Sequence, residues 1–182
     1  MHGSTPAGDQ GPHDDEGGAP AAGHPAFTGL IGHWRGSTLL AAGPWGPERS
    51  VEAEVSYSLL AGGFGVVQSY RHVEADGRHF EGQGIFSIDP VRKDVLWYYV
   101  DSTGAPPAAA ARCTWHDGVI RVERQSGAGW TRHAISVEGG VLQHVTELRT
   151  AGGSDDGAAP HAAADGKYPA YRPFMRSVFH RA

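Results

Sequence analysis

The sequence predicts an all-β protein that folds as an antiparallel up-and-down barrel of about ten strands. Short extended runs follow one another along the chain, separated by turn signals at intervals typical of a β-meander. No helical periodicity persists beyond residue 31. Several runs alternate polar groups with aromatic residues, as expected where a sheet encloses a polar pocket. A closed barrel is favoured over a sandwich because successive hairpins that close on themselves leave no exposed sheet edge.

Composition and charge exclude several classes of function. The chain has 182 residues and a net charge of −5, with no cluster of Lys and Arg, so nucleic-acid binding is not expected. Its single cysteine, Cys113, rules out an internal disulfide and a thiolate zinc site. No run approaches the roughly 18 apolar residues of a membrane span. We therefore expect a cytoplasmic protein without a membrane partner, and the sequence leaves a homodimer open.

The chain is expected to form one domain. Residues 1–24 are nearly devoid of large apolar side chains and are predicted to be a disordered tail. Residues 25–182 form the predicted barrel domain, beginning with a short N-terminal helix over 25–31. The Gly/Ala/Asp-rich text of residues 150–169 is interpreted as a flexible loop insertion before the last strand.

Glycine-containing turns define the strands. Asp76-Gly77, Asp117-Gly118 and Gly139-Gly140 are turn signals, and the second of these predicts a hairpin with a type I′ turn. The strands are predicted near residues 32–40, 50–59, 64–73, 79–88, 93–101, 109–116, 119–125, 130–137, 141–149 and 171–181.

Alternation predicts the inward face of only one of the central strands. In 79–88, Phe80, Phe86 and Ile88 share a face and are expected to point inward. Strands 64–73 and 93–101 carry apolar residues on both faces, so their orientation stays open.

A series of short motifs resembles calycin-type barrels. It begins with the Gly-x-Trp-x-Gly element at 32–36 and continues with Gly82-Gln83-Gly84, Tyr99-Val100-Asp101-Ser102 and Phe174-Met175. In this order the motifs resemble the superfamily of lipocalins, fatty-acid-binding proteins and nitrobindin-like haem proteins. The closest resemblance is to a bacterial calycin-like domain family of unknown function.

The resemblance implies a barrel with one closed end. There Trp34 would pack beneath a basic residue of the last strand, Arg181, in a cation–π stack. Haem binding of the nitrobindin type would need an imidazole near Phe174, whereas His180 falls near the closed end. No cofactor is therefore expected, with haem the less favoured alternative.

The polar residues of strands 64–73 and 93–101 are the candidate site. If both sets face inward, an amide, two phenols, an imidazole and a carboxylate line the interior beside aromatic walls, a mixture suited to orienting a polar ring system. The candidate catalytic residues are His72, Asp101, Tyr70 and Tyr99. The candidate ligand-binding residues are Gln68, Phe80, Phe86, Trp97, Arg112, Arg132, His144 and Met175.

Two functions from different classes fit this site. The first is binding of a partly aromatic or polyketide-like small molecule in the barrel. The alternative is a cofactor-free cyclase or isomerase in which His72 or Asp101 acts as general base and a tyrosine donates to a developing oxyanion. No His-x-His or HExxH spacing occurs in the sequence, and no metal site is predicted.

Overall fold

The structure is a computed structural model. It describes residues 24–43, 45–89, 91–92, 94–106, 108–127, 129–150 and 170–182. The predicted disordered tail and loop insertion fall almost entirely outside the described residues. Within the described ranges, no helix has the length and apolar character needed to cross a membrane.

Ten antiparallel strands form a closed barrel, which confirms the predicted fold class. Each strand pairs with its neighbours in sequence, and the first strand also pairs with the last. The strands are β1 (Gly32–Leu40), β2 (Arg49–Leu60), β3 (Gly65–Val73), β4 (His79–Ile88), β5 (Val95–Asp101), β6 (Ala111–His116), β7 (Val119–Ser126), β8 (Gly129–Glu138), β9 (Val141–Arg149) and β10 (Arg172–Arg181).

The segment that precedes β1 forms successive turns where a short helix is predicted. Phe27 N donates to His24 O at 2.9 Å and Leu30 N donates to Phe27 O at 2.9 Å, so the bonds span three residues instead of four. A segment this short gains little from helix formation alone. It is held instead by burial of Phe27 and Leu30, which close one end of the barrel.

Trp34 and Arg181 form the stack that the resemblance implies. The Arg181 guanidinium carbon lies 4.4 Å from the centre of the Trp34 ring. Its two terminal nitrogens donate to Ile31 O at 2.9 Å and Gly29 O at 3.1 Å. Trp34 Nε1 donates to Leu30 O at 2.7 Å. The first strand, the last strand and the preceding turns are thereby tied together at the closed end.

The hairpin between β6 and β7 has the predicted turn. Asp117 has φ 51° and Gly118 has φ 73°, the two positive values that a type I′ turn requires. Here local sequence alone specified the backbone conformation.

The interior of the barrel has two halves: one next to the closed end, packed with apolar side chains, and a polar one at the opposite end. Aromatic and aliphatic side chains fill the half next to the closed end, where they form a continuous core. The most deeply buried of them are Phe27, Trp34, Tyr57, Val66, Phe86, Ile120, Ile135, Leu142 and Phe179. Above this core, buried polar groups replace the apolar ones.

We predict that Gly36→Ala destabilises the protein strongly. A Cβ at this position would lie 2.0 Å from Val178 O and 2.9 Å from Phe179 Cα, both backbone atoms of the strand that closes the barrel. Because backbone atoms cannot move aside without opening the β1–β10 seam, we expect a loss of about 3 kcal/mol. Chemical denaturation measures it.

Gly43→Ala is the matched control. The nearest atom to a Cβ there is Cε3 of Trp45, at 3.8 Å, so the same substitution meets no obstacle. Equal losses of stability in the two variants would contradict the proposed crowding at the seam.

Candidate functional site

A cavity opens at the end of the barrel opposite the Trp34 stack. Its volume is about 800 Å³, and it is bordered by the upper ends of strands on both sides of the barrel. Nine of the twelve predicted site residues line this cavity. They are Gln68, Tyr70, His72, Phe80, Trp97, Tyr99, Asp101, His144 and Met175.

Two glycines on β4 explain how the large rings of β5 fit inside. A Cβ at Gly82 would lie 1.7 Å from Tyr99 Oη, and a Cβ at Gly84 would lie 2.4 Å from Trp97 Nε1. The rings of Trp97 and Tyr99 therefore lie across β4 in space that any other residue would occupy. This contact decides the inward orientation of β5, which alternation leaves open.

The inward face of β3 carries a chain of hydrogen bonds. The Thr38 hydroxyl lies 2.8 Å from the Ser177 hydroxyl and 3.0 Å from Tyr70 Oη. Tyr70 Oη in turn lies 2.9 Å from His72 Nδ1. Burial raises the pKa of Tyr70 to about 12, so this phenol keeps its proton at neutral pH.

An ion pair at the rim lies next to the end of this chain. Arg49 binds both oxygens of Glu74, at 2.8 and 2.5 Å, and Glu74 Oε1 lies 3.8 Å from His72 Nε2. The hydrogen bond from Arg49 lowers the pKa of Glu74. Burial lowers the pKa of His72, and Glu74 offsets part of that effect. A neutral imidazole protonated on Nε2 suits both neighbours, because its Nδ1 then accepts from Tyr70 and its N–H is on the side of Glu74.

The opposite wall holds a pair of buried histidines. His133 Nδ1 lies 3.1 Å from His144 Nε2, and the two are flanked by Thr131 and Thr146. Burial lowers the pKa of His144 to about 4 and that of His133 well below its ordinary value. Both imidazoles are neutral at pH 7, and the N–H group of one donates a hydrogen bond to the ring nitrogen of the other.

Sequence reasoning missed several residues that line the cavity, among them His133 and Arg124 on this wall. On β8, Thr131, His133 and Ile135 alternate with outward residues. On β7, every second residue is buried, first Ile120 and then Val122, so the same alternation places Arg124 on the inward face. Alternation along β7 and β8 was the signal that would have identified both.

Three buried polar atoms at the cavity wall have no hydrogen-bond partner among the described residues. They are Gln68 Oε1, Trp97 Nε1 and Arg124 Nε. One is an acceptor and two are donors. Buried polar groups in proteins are normally satisfied, so three unpartnered atoms on residues that line one cavity are unusual.

Arg112 and Arg132 lie outside the cavity, which corrects the expectation that both contact a ligand inside the barrel. The inward residue of β6 is Cys113, so the adjacent Arg112 points out and pairs with Asp94. Arg132 also points outward, next to His133, and its side chain pairs with carboxylates of β7 and β9.

Phe86 is inside the barrel but below the cavity. It is fully buried and stacks on Trp97 with ring centres 5.4 Å apart. Phe86 therefore supports the cavity floor without contacting its space, which corrects its expected position in the lining.

Asp101, a candidate catalytic residue, lies at the rim of the cavity and also caps a turn. Its Oδ1 accepts from Thr103 N at 3.0 Å, which caps the turn after β5. The residue also lines the rim of the cavity and is only partly buried.

The last strand presents no histidine to the cavity. Its His180 is exposed, near the closed end, whereas Phe174 and Met175 both line the cavity. Two successive residues face the same space because the pairing of β10 with β9 shifts between Pro173 and Met175. No group of three or more His, Cys, Asp or Glu that could hold a metal occurs among the described residues.

The fold and the cavity define the class of this protein. It is a closed ten-stranded antiparallel β-barrel, packed solid at one end and open at the other, with a polar and aromatic interior that could accept a ligand.

Comparisons with known proteins support this fold. No family model matches the chain, and no curated protein matches it. Among solved structures, the chain is similar to the crystal structure of Rv2717c from M. tuberculosis, with a TM-score of 0.62 and 16% sequence identity. The similarity covers 90% of this chain and 98% of that one. At this identity the likeness shows the barrel fold alone.

We predict that His144→Gln makes the stability of the protein less sensitive to acid. Because burial lowers the pKa of His144 to about 4 in the folded state, the unfolded chain binds more protons than the folded chain below about pH 6.5. Stability therefore falls as the pH falls from about 6.5 toward 4. Without this imidazole, the loss between about pH 7 and about pH 5 should be smaller by about 2 kcal/mol.

Denaturant unfolding at the two pH values measures this difference. His33→Gln, on the exposed face of β1, controls for the substitution itself. An identical pH dependence in wild type and His144→Gln would contradict a buried neutral His144.

Proposed function

We propose that the protein binds a small, partly aromatic organic molecule in the barrel cavity. The observation that carries the proposal is a cavity of about 800 Å³ whose wall includes buried polar atoms without partners. Small-molecule sites typically occupy about 300 to 1,000 Å³ and combine apolar walls with a few convergent polar groups. A polyketide-like compound has this character.

The walls match such a ligand in chemistry. Phe80, Trp97, Tyr99 and Met175 offer aromatic and thioether surface, which suits a planar ring. The unpartnered acceptor of Gln68 and the unpartnered donors of Trp97 and Arg124 belong to residues that line the cavity, and we propose that they orient the ligand. Binding then stabilises the complex both by covering apolar surface and by satisfying the buried polar atoms.

We further propose that the chain is a calycin-like barrel. The order of its motifs, the stack of Arg181 on Trp34 at the closed end and the meander topology all support this assignment. The similarity in fold to Rv2717c is consistent with it.

A second candidate function, acid–base catalysis on the bound molecule, rests on the chain from Tyr70 through His72 to Glu74. Tyr70 and His72 are hydrogen-bonded, and a closer approach of Glu74, which lies 3.8 Å from His72 Nε2, would complete a path for a proton between the cavity wall and the rim. In the preferred tautomer, however, both ring nitrogens of His72 already face a partner, so binding is favoured over catalysis. Within the part of the chain that the structure describes, the other two candidate catalytic residues, Asp101 and Tyr99, form no hydrogen bond with each other.

Catalysis is tested on a compound that the protein itself retains. Native mass spectrometry of freshly purified protein identifies a retained mass, and the recovered compound is incubated with fresh protein in heavy water. Deuterium uptake or a changed mass that His72→Asn abolishes would establish acid–base chemistry. An unaltered compound restricts the protein to binding.

We predict that the neutral fluorescent probe N-phenyl-1-naphthylamine binds in the cavity and that Met175→Trp weakens its binding. The larger side chain would take up cavity space next to Phe174, so we expect the affinity to fall roughly tenfold, equivalent to about 1.4 kcal/mol. Fluorescence titration measures it.

Arg176→Trp is the control, because it places the same side chain on the outward face of β10. Its affinity should equal that of the wild type. If the wild type does not bind the probe, or if both variants weaken binding equally, the cavity is not a binding site for this class of molecule.

A further inference from the structure

Arg124 is a buried cation at the cavity wall without a carboxylate partner among the described residues. Its exposed fraction is 9%, and it lines the cavity. Three outward-facing arginines of the barrel, Arg71, Arg112 and Arg132, each pair with a carboxylate. A buried charge is costly unless a counter-charge and hydrogen bonds compensate it.

The contacts that Arg124 does make leave part of its guanidinium unused. Nη1 donates to Gln125 O at 3.1 Å, and Nε has no partner. The guanidinium carbon lies 4.7 Å from the ring centre of Tyr99 and 5.5 Å from that of Trp97. These aromatic faces offset some of the lost hydration, but they supply neither a counter-charge nor an acceptor for Nε.

The other titratable groups of the cavity leave this charge largely uncompensated. His133 on β8 is neutral, and the phenol of Tyr99 on β5 stays protonated because burial raises its pKa. Burial lowers the pKa of Arg124, and the nearby Asp101 carboxylate on β5 offsets part of that effect. Asp101 forms no ion pair with Arg124 among the described residues, however, and it caps the turn at Thr103. Across the cavity, Glu74 is already neutralised by Arg49.

We propose that the ligand is an organic anion whose carboxylate, or a similar acidic group, binds Arg124. This inference rests on the proposed small-molecule function and specifies the class of ligand. A guanidinium presents parallel N–H donors that match the two oxygens of a carboxylate. The aromatic part of the ligand would extend toward Phe80 and Met175, away from the charged end.

Two probes that share one ring system test the charge requirement. The anion 1-anilinonaphthalene-8-sulfonate carries a sulfonate on the same skeleton as neutral N-phenyl-1-naphthylamine. Both are titrated into wild type and Arg124→Gln by fluorescence. A charged hydrogen bond that is lost should lower the affinity for the anion by about ten- to a hundredfold, with the neutral probe changed by less than about threefold.

Two further variants separate charge from structure. Arg124→Lys keeps the positive charge and should retain an intermediate affinity for the anion. Arg121→Gln removes an arginine from the exposed face of the same strand and should leave both affinities unchanged. Thermal unfolding of each variant confirms that the compared proteins are folded. If Arg124→Gln does not fold, the comparison of Arg124→Lys with wild type decides the question.

The outcomes distinguish the two proposals. If the wild type binds the neutral probe but Arg124→Gln or Arg124→Lys leaves the preference for the anion unchanged, the anion site is overturned and the binding function stands. If Arg121→Gln lowers the affinity for the anion as much as Arg124→Gln does, the anion binds the outer surface and the inference fails. If the wild type binds neither probe, both proposals fail.

Discussion

The closure of β1 onto β10 is the constraint on which the rest of the structure depends. Gly36 lies against the backbone of Val178, and Arg181 stacks on Trp34 while binding carbonyls of the preceding turns. A closed barrel has no edge strand and a fixed interior volume. The side chains that fill that volume then determine whether space remains for a ligand. Apolar side chains fill the half beside the Trp34 stack. The other half contains the cavity, which buried polar side chains and aromatic rings line.

The cavity depends on small residues as much as on large ones. Gly82 and Gly84 on β4 leave room for the rings of Tyr99 and Trp97, which line the wall instead of blocking the interior. Ring contacts continue from Phe86 through Trp97 to His133, with centres 5.4 and 4.9 Å apart. These ring contacts pack the polar wall against the apolar core, so the side chains at the base of the cavity are held in place. A site supported in this way is preorganised, which lowers the entropic cost of binding a rigid ligand.

The electrostatic character of the cavity follows from burial. Desolvation keeps His133 and His144 neutral and Tyr70 and Tyr99 protonated, and Arg49 compensates the charge of Glu74 at the rim. The guanidinium of Arg124 is the exception on this wall. The interior therefore combines a largely neutral hydrogen-bonding surface with the buried positive charge of Arg124, whereas Asp101 and the Arg49–Glu74 pair lie at the rim. Such a surface favours a molecule with an aromatic body and an acidic end over a neutral or cationic one.

The sequence by itself determined the strands, their meander order, the type I′ turn at Asp117-Gly118 and the inward face of β4, because these depend on local turn chemistry and on alternation. It also placed Gln68, Tyr70, His72, Trp97 and Tyr99 among the candidates that line the cavity. Only the tertiary structure decided which faces of β3 and β5 point inward, because both faces of each strand carry apolar residues. The side chains of Gln68 and Trp97 point inward over Gly84, where no other side chain takes up the space. The inward position of Arg124 and the outward position of Arg132 follow the alternation along β7 and β8, but only the structure shows that the guanidinium of Arg124 lies at the cavity.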